Sequence, residues 1–178
     1  RVSWGVAEEL KKLSITGLSF DRSYKRYYPL GEVATHVVGK TDTDDRGIEG
    51  IEFAKNDYLQ GRPGSRAILV DRKGNTVQNL DYVSVPVLGN AVQLSLDSRL
   101  QYVAYKELKS AVSAHRASSG SLVTLDAESG EILAMVNQPS YNPNDKVLAD
   151  ERGMKNRSVT DSYAPGSTVK PFVALAAI

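Results

Sequence analysis

Pro165-Gly166-Ser167-Thr168-Val169-Lys170-Pro171 runs directly into Phe172-Val173-Ala174-Leu175-Ala176-Ala177-Ile178. The Pro-Gly pair punctuates the chain, and from Val169 onward the only charge is Lys170. A helix that is apolar nearly all round is a buried helix, so a lysine in its first turn must face a cleft, a partner or water. Pro171 lacks an N–H and fits only the first turn, which predicts that this helix begins no earlier than about Ser167. Residues three apart share a helix face, so the Lys170 amine can approach the Ser167 hydroxyl. Serine is a weak nucleophile until a positioned base takes its proton. A lysine can be that base where desolvation or nearby cations keep its amine neutral. Free N–H groups at the helix start would favour the negative charge that develops during attack. The spacing alone is common: 18 serines and 11 lysines among 178 residues make about one Ser-x-x-Lys expected by chance. It is the punctuation before the serine and the apolar run after it that mark this one.

Upstream, Asp97 reads as an N-cap, and Leu100, Val103, Ala104, Leu108, Ala111 and Val112 follow a 3.6 period, predicting a helix of nearly twenty residues. Two apolar strands follow, 120–126 and 131–136, joined by Ala127-Glu128-Ser129-Gly130. Pro86 and Gly89-Asn90 separate this half from an amino-terminal one, dividing the chain into residues 1–88 and 89–178. The first part is expected to hold an amphipathic helix with Val6, Leu10 and Leu13 inward, then a helix over 49–60 closed by Gly61. A hairpin should pair 66–71 with 75–80 across Arg72-Lys73-Gly74.

The balance of 41% hydrophobic and 24% charged residues is that of an ordinary globular chain, not a disordered one. A formal net charge of +1 gives no global argument for nucleic acid or an anionic membrane surface. With no cysteine, disulfide staples and thiol catalysis are excluded, while cytosol and periplasm both stay open. No signal peptide is visible, and no apolar run reaches the roughly 20 residues that span a bilayer. Opening at Arg1 rather than methionine, the chain is expected to be part of something longer.

Other residues invite functional readings that the pattern does not favour. Glu49 and Glu52 could be paired catalytic carboxylates, but they sit at helical spacing and are expected to be a helix start salt-bridged to arginines such as Arg26 or Arg72. His36 and His115 are isolated and give no metal-ligand spacing, so neither a metal nor a cofactor is expected. Asn156-Arg157-Ser158 matches the glycosylation acceptor pattern, which is too short to carry weight. Tyr27, Tyr28, Tyr102 and Tyr105 are read as packing residues rather than as a stacking platform.

An ordered set of segments gives these parts a common context. Arg26-Tyr27-Tyr28-Pro29-Leu30-Gly31, Gly47-Ile48-Glu49-Gly50-Ile51-Glu52, Asp71-Arg72-Lys73-Gly74 and Leu94-Ser95-Leu96-Asp97-Ser98-Arg99-Leu100-Gln101 come first. Gly130-Glu131-Ile132-Leu133-Ala134-Met135, Pro139-Ser140-Tyr141-Asn142-Pro143-Asn144 and Asn156-Arg157 follow, ahead of Ser167-x-x-Lys170. Together they resemble the class B penicillin-binding proteins, most closely the septal, FtsI-type peptidoglycan D,D-transpeptidases of proteobacteria. The family's Ser-Asp-Asn-like and Lys-Thr-Gly companions do not occur in this chain.

The resemblance implies an α+β fold: an elongated pedestal, then the opening part of a transpeptidase domain whose antiparallel sheet is covered by helices. It implies Ser167 as nucleophile and donor of one oxyanion N–H, and Lys170 as general base or proton shuttle. The expected substrates are peptidoglycan stem peptides on a lipid-linked precursor, with β-lactams as mimics and membrane proteins of the division complex as partners; nucleic acid is not expected. It further implies the periplasmic side of the inner membrane, with an anchor before residue 1. The motifs at Arg26, Glu49 and Glu52 would form the junction between pedestal and catalytic domain. By the same resemblance this chain alone should be inactive. A β-lactamase or β-lactam sensor shares the Ser-x-x-Lys pair and stays open, as does a non-catalytic pedestal or partner-binding fragment.

Overall fold

The computed structural model describes residues 2–20, 25–72, 74, 76–145 and 151–178. In chain order the elements are α1 (Trp4–Lys12), a 3-10 turn (Gly31–Val33), α2 (Thr35–Val38), α3 (Gly50–Ala54), α4 (Asn56–Leu59), β1 (Ser65–Val70) and β2 (Thr76–Ser84). The second half holds α5 (Ser98–Ala114), β3 (Gly120–Leu125), β4 (Ile132–Gln138), α6 (Glu151–Met154), α7 (Arg157–Thr160), a second 3-10 turn (Gly166–Val169) and α8 (Lys170–Ala176). The strands form two separate antiparallel pairs, β1 with β2 and β3 with β4. Helices and antiparallel sheets are thus combined in the expected α+β manner.

The core lies where α5 crosses β4. Ala104 and Tyr105 of α5 pack on Ala134 and Val136 of β4, with Val33, Leu108 and Leu122 around them. Asp97 caps α5 as expected, its carboxylate accepting the N–H groups of Arg99 and Leu100 at 2.8 and 3.0 Å. The inward face differs from the one that the apolar periodicity predicts. Leu100 and Val103 are exposed, while Gln101 is 1% exposed. Its amide explains this: Nε2 donates to the carbonyls of Val33 and Met135 at 2.7 and 2.8 Å, and Oε1 accepts the Met135 N–H at 2.9 Å. A buried amide with its partners in place competes well with a leucine.

Four further expectations need correction. α1 forms, but it buries no residue, and Val6 and Leu13 are exposed. Amphipathicity selects a stripe and cannot supply the surface that covers it. The helix expected over 49–60 is two short ones broken at Lys55, because the Asn56 side chain accepts the Gly47 N–H at 2.9 Å and draws the chain out of register. The hairpin forms in a longer and shifted frame, with three irregularities in register; Lys73 and Asn75 lie outside the described residues. Lastly, α8 is not buried: Phe172, Val173 and Leu175 are each more than 60% exposed.

Residues 26–52 do not stand apart from the second half but wrap against it. Gly39, at φ +80°, lets α2 turn back so tightly that a Cβ there would lie 1.8 Å from the Glu49 carbonyl oxygen. Asn144 grips the backbone of Tyr28, accepting its N–H at 3.0 Å and donating to its carbonyl at 2.8 Å. Ser140 donates to the Glu32 carbonyl at 2.8 Å. Glu32 also receives the Tyr105 hydroxyl and, at 3.0 Å, the Lys109 amine.

Candidate active site

The Ser167 segment is built from a bend and a tight turn. Gly166 sits at φ +57° with open space around its missing Cβ, a backbone state that side-chain-bearing residues rarely adopt. The bend feeds the 3-10 turn Gly166–Val169, in which the Lys170 N–H donates to the Ser167 carbonyl. Residues i and i+3 eclipse in such a turn, so Ser167 and Lys170 leave the chain along one edge. Thr168 points elsewhere, its N–H and hydroxyl both donating to the Pro165 carbonyl. The α-helix starts at Lys170 with Pro171 in its first turn, where a missing N–H costs nothing. Both Ser167 and Lys170 are exposed, and among the described residues their side chains hydrogen-bond neither to each other nor to another group.

The approach to this turn is fixed at α7. Asp161, the residue after α7, is clasped by Arg157 at 2.7 Å and Lys155 at 3.3 Å, and these cations hold its carboxyl below the ordinary carboxylate range. An open cavity lies between β3 and this segment, lined by Gly120, Ser121, Ser158, Asp161 and Tyr163 among others.

The acidic residues Glu49 and Glu52, read as structural rather than catalytic, lie in the segment 26–52 that wraps against the second half. Glu52 is buried and takes Arg26 in a two-point bond at 2.8 and 3.0 Å, as expected. Glu49 departs from expectation, because among the described residues its partners are a lysine and a tyrosine rather than an arginine. It pairs with Lys40 at 3.4 Å and accepts the Tyr141 hydroxyl at 2.6 Å. Burial, then that bond, pushes the Tyr141 hydroxyl well above its usual pKa. His36 is packed, 7% exposed, with Nε2 against the Gly153 carbonyl at 2.7 Å and its ring edge-on to Tyr141. Of the four tyrosines, Tyr28 and Tyr105 are buried, whereas Tyr27 and Tyr102 are exposed. Among the described residues no three His, Cys, Asp or Glu side chains converge as a metal site, and no helix is long and apolar enough to cross a membrane.

No individual role was read from the sequence for Gln101, Asn137 or Asn156, each an amide with several hydrogen-bond partners. Gln101 and Asn156 stand within the segments that carry the family resemblance, and Asn137 shows only as a polar residue closing an apolar strand.

Comparison with known proteins gives this geometry a setting. Residues 1–94 match the family described as "Penicillin-binding Protein dimerisation domain", and residues 120–178 match "Penicillin binding protein transpeptidase domain". The chain is 46% identical over 175 residues to a probable peptidoglycan D,D-transpeptidase PenA of Neisseria meningitidis, covering 97% of this chain and 30% of the relative. It is 42% identical over 178 residues to the peptidoglycan D,D-transpeptidase FtsI of Escherichia coli, covering 100% of this chain and 30% of the relative. The chain therefore spans about 30% of the length of these curated relatives. Among solved structures, a peptidoglycan synthetase from Bifidobacterium adolescentis aligns with a TM-score of 0.63 at 26% identity, over 95% of this chain and 31% of the other. Penicillin binding protein 3 of Mycobacterium tuberculosis, solved with aztreonam, aligns with a TM-score of 0.55 at 32% identity, over 68% of this chain and 24% of the other.

Proposed function

This chain belongs to the penicillin-binding proteins, and from that premise we propose that the protein carrying it is a peptidoglycan D,D-transpeptidase with Ser167 as its nucleophile. The observation that carries the proposal is the single turn bearing Ser167 and Lys170 inside the segment that matches a transpeptidase domain. Lys170 takes the Ser167 proton as Oγ attacks the penultimate D-alanine carbonyl of a stem peptide. The Ser167 N–H donates to the oxyanion that forms. Collapse of the tetrahedral intermediate breaks the D-alanyl–D-alanine amide; the terminal D-alanine leaves with the proton, and an ester remains on Ser167. The amine of a neighbouring stem peptide attacks this ester, a new amide forms, and the proton returns to Ser167.

β-Lactams enter the same scheme as acylating mimics, consistent with the aztreonam bound by the Mycobacterium tuberculosis relative. The division at residues 88 and 89 then separates a pedestal from the start of the catalytic domain. The resemblance to FtsI supports work at the septum, at the periplasmic face of the inner membrane and beside membrane proteins of the division complex. Neither a metal nor a cofactor is required by this chemistry.

The test uses a protein extended to the full length of its relatives, a synthetic stem-peptide thioester as donor, and a D-amino acid as acceptor. The expected result is release of the thiol together with an amide product that depends on Ser167. Hydrolysed donor without any amide product, at rates that also destroy penicillin, would favour the β-lactamase reading instead.

A further inference from the structure

α7 departs from the usual capping arrangement. Its N-cap residue is Asn156, a residue type whose side chain normally accepts the N–H of the second or third helical residue. Here Asn156 makes no such bond. The Ser158 N–H, second in the helix, is instead accepted at 2.8 Å by Oδ1 of Asn137, which lies on β4 and is 1% exposed. The same oxygen takes the hydroxyls of Ser158 at 2.8 Å and Ser121 at 2.7 Å. Asn137 Nδ2 donates to Asn156 Oδ1 at 2.9 Å, and Asn156 Nδ2 reaches the His36 carbonyl at 3.2 Å.

Asn156 has thus been released from its own helix to bridge β4 and α2, while the sheet caps α7 in its place. A buried amide with this many fixed partners has one orientation available to it. Beyond α7 the chain has only Asp161, itself clasped by Arg157, and five residues before Ser167. We propose that Asn137, with Asn156, is a positioning residue: it anchors α7 to β4 and to the amino-terminal strap formed by residues 26–52, and so sets where the nucleophile turn stands. The proposal rests on the transpeptidase reading above. Neither side chain touches substrate or carries the reacting proton.

The experiment measures acylation by a fluorescent penicillin in a protein of the relatives' full length, separating reversible binding from the first-order acylation rate and recording the fraction labelled. Asn137→Ala and Asn156→Ala are expected to lower the acylation rate by about ten-fold or more, because small displacements of a reacting group are costly, while binding and the labelled fraction hold. Asn137→Asp keeps the acceptor for the Ser158 N–H but loses the donor to Asn156 Oδ1, and is expected to recover only part of the Asn137→Ala loss. A merely structural defect would lower the labelled fraction and leave the rate of the remainder unchanged, and that result overturns the proposal. So does an unchanged rate in both alanine variants. If Asn137→Ala does not fold, Asn156→Ala, which leaves the cap on α7 in place, decides by the same rate. A parent protein that takes up no label on Ser167 would fail the transpeptidase reading itself and remove this inference with it.

Discussion

At the level of single residues, Lys170 is the informative position, because charge and proton transfer can be separated there. Lys170→Arg keeps a cation on the same turn as Ser167 but offers no deprotonated form. The expected outcome is acylation slowed by at least about 10²-fold with the thermal midpoint preserved, checked by the time course of penicillin labelling. His36 gives a second prediction, one of stability. Burial, its largest influence, holds the imidazole below its ordinary value of 6.5, and the bond to the Gly153 carbonyl only partly opposes this. The unfolded chain therefore binds a proton near pH 6.5 that the folded chain refuses until lower pH. Stability is complete above that value and falls as pH drops toward the folded value. Glu49 and Arg157 are the charged groups that act on the ring. His36→Gln should flatten the loss of thermal midpoint between pH 7.5 and 5.5, and parallel slopes for parent and variant would contradict this. The Ser167 and Lys170 pair was legible in the sequence because a three-residue spacing is a local property. The roles of His36 and Asn156 were not, since their partners lie 117 and 120 residues away along the chain.

For the elements, legibility followed whether local chemistry or a distant surface decides the outcome. Asp97 announced α5, and the segment Ala127-Glu128-Ser129-Gly130 announced the β3–β4 turn, which the structure closes with Asp126 accepting the N–H groups of Glu128 and Ser129. The inward face of α5 was misread by about one position, because periodicity counts Leu100 and Val103 and discounts Gln101. α1 and α8 were read correctly as helices and wrongly as having an inward face, since among the described residues no element covers either one. Gln101 is where α5, β4 and the strap at Val33 meet, so it carries the element-scale prediction. Gln101→Leu fills a similar volume but leaves the Met135 N–H and the Val33 and Met135 carbonyls without that partner. A loss of about 2–4 kcal/mol is expected, from a cost of roughly 1–3 kcal/mol for each polar group left unsatisfied and partial relaxation around them. Denaturant unfolding of the two proteins measures it, and a change under about 0.5 kcal/mol, the level of an ordinary surface substitution, would show that water replaces the amide freely.

Across the whole molecule, a strap from the amino-terminal part, braced internally by Arg26–Glu52, is locked onto the second half by Glu49–Tyr141, Asn144–Tyr28 and Gln101–Val33. The turn proposed to carry the nucleophile, by contrast, stands with Ser167, Lys170, Phe172 and Leu175 exposed. A site with one oxyanion donor missing typically loses about 2.7–4 kcal/mol of transition-state stabilisation, so the isolated 178-residue chain should label with penicillin at a negligible rate beside the full-length protein. Equal rates at equal concentration would show that Ser167 and Lys170 need nothing from the remaining two-thirds of their relatives' length. One hydroxyl, on the turn after Gly166, is proposed to receive the acyl group. Digestion of the penicillin-treated full-length protein and mass-spectrometric mapping of the adduct test it directly. A single penicilloyl ester on Ser167, absent in Ser167→Ala, is expected; an adduct on any other residue, or one that survives the Ser167→Ala change, would overturn the assignment of Ser167 as nucleophile.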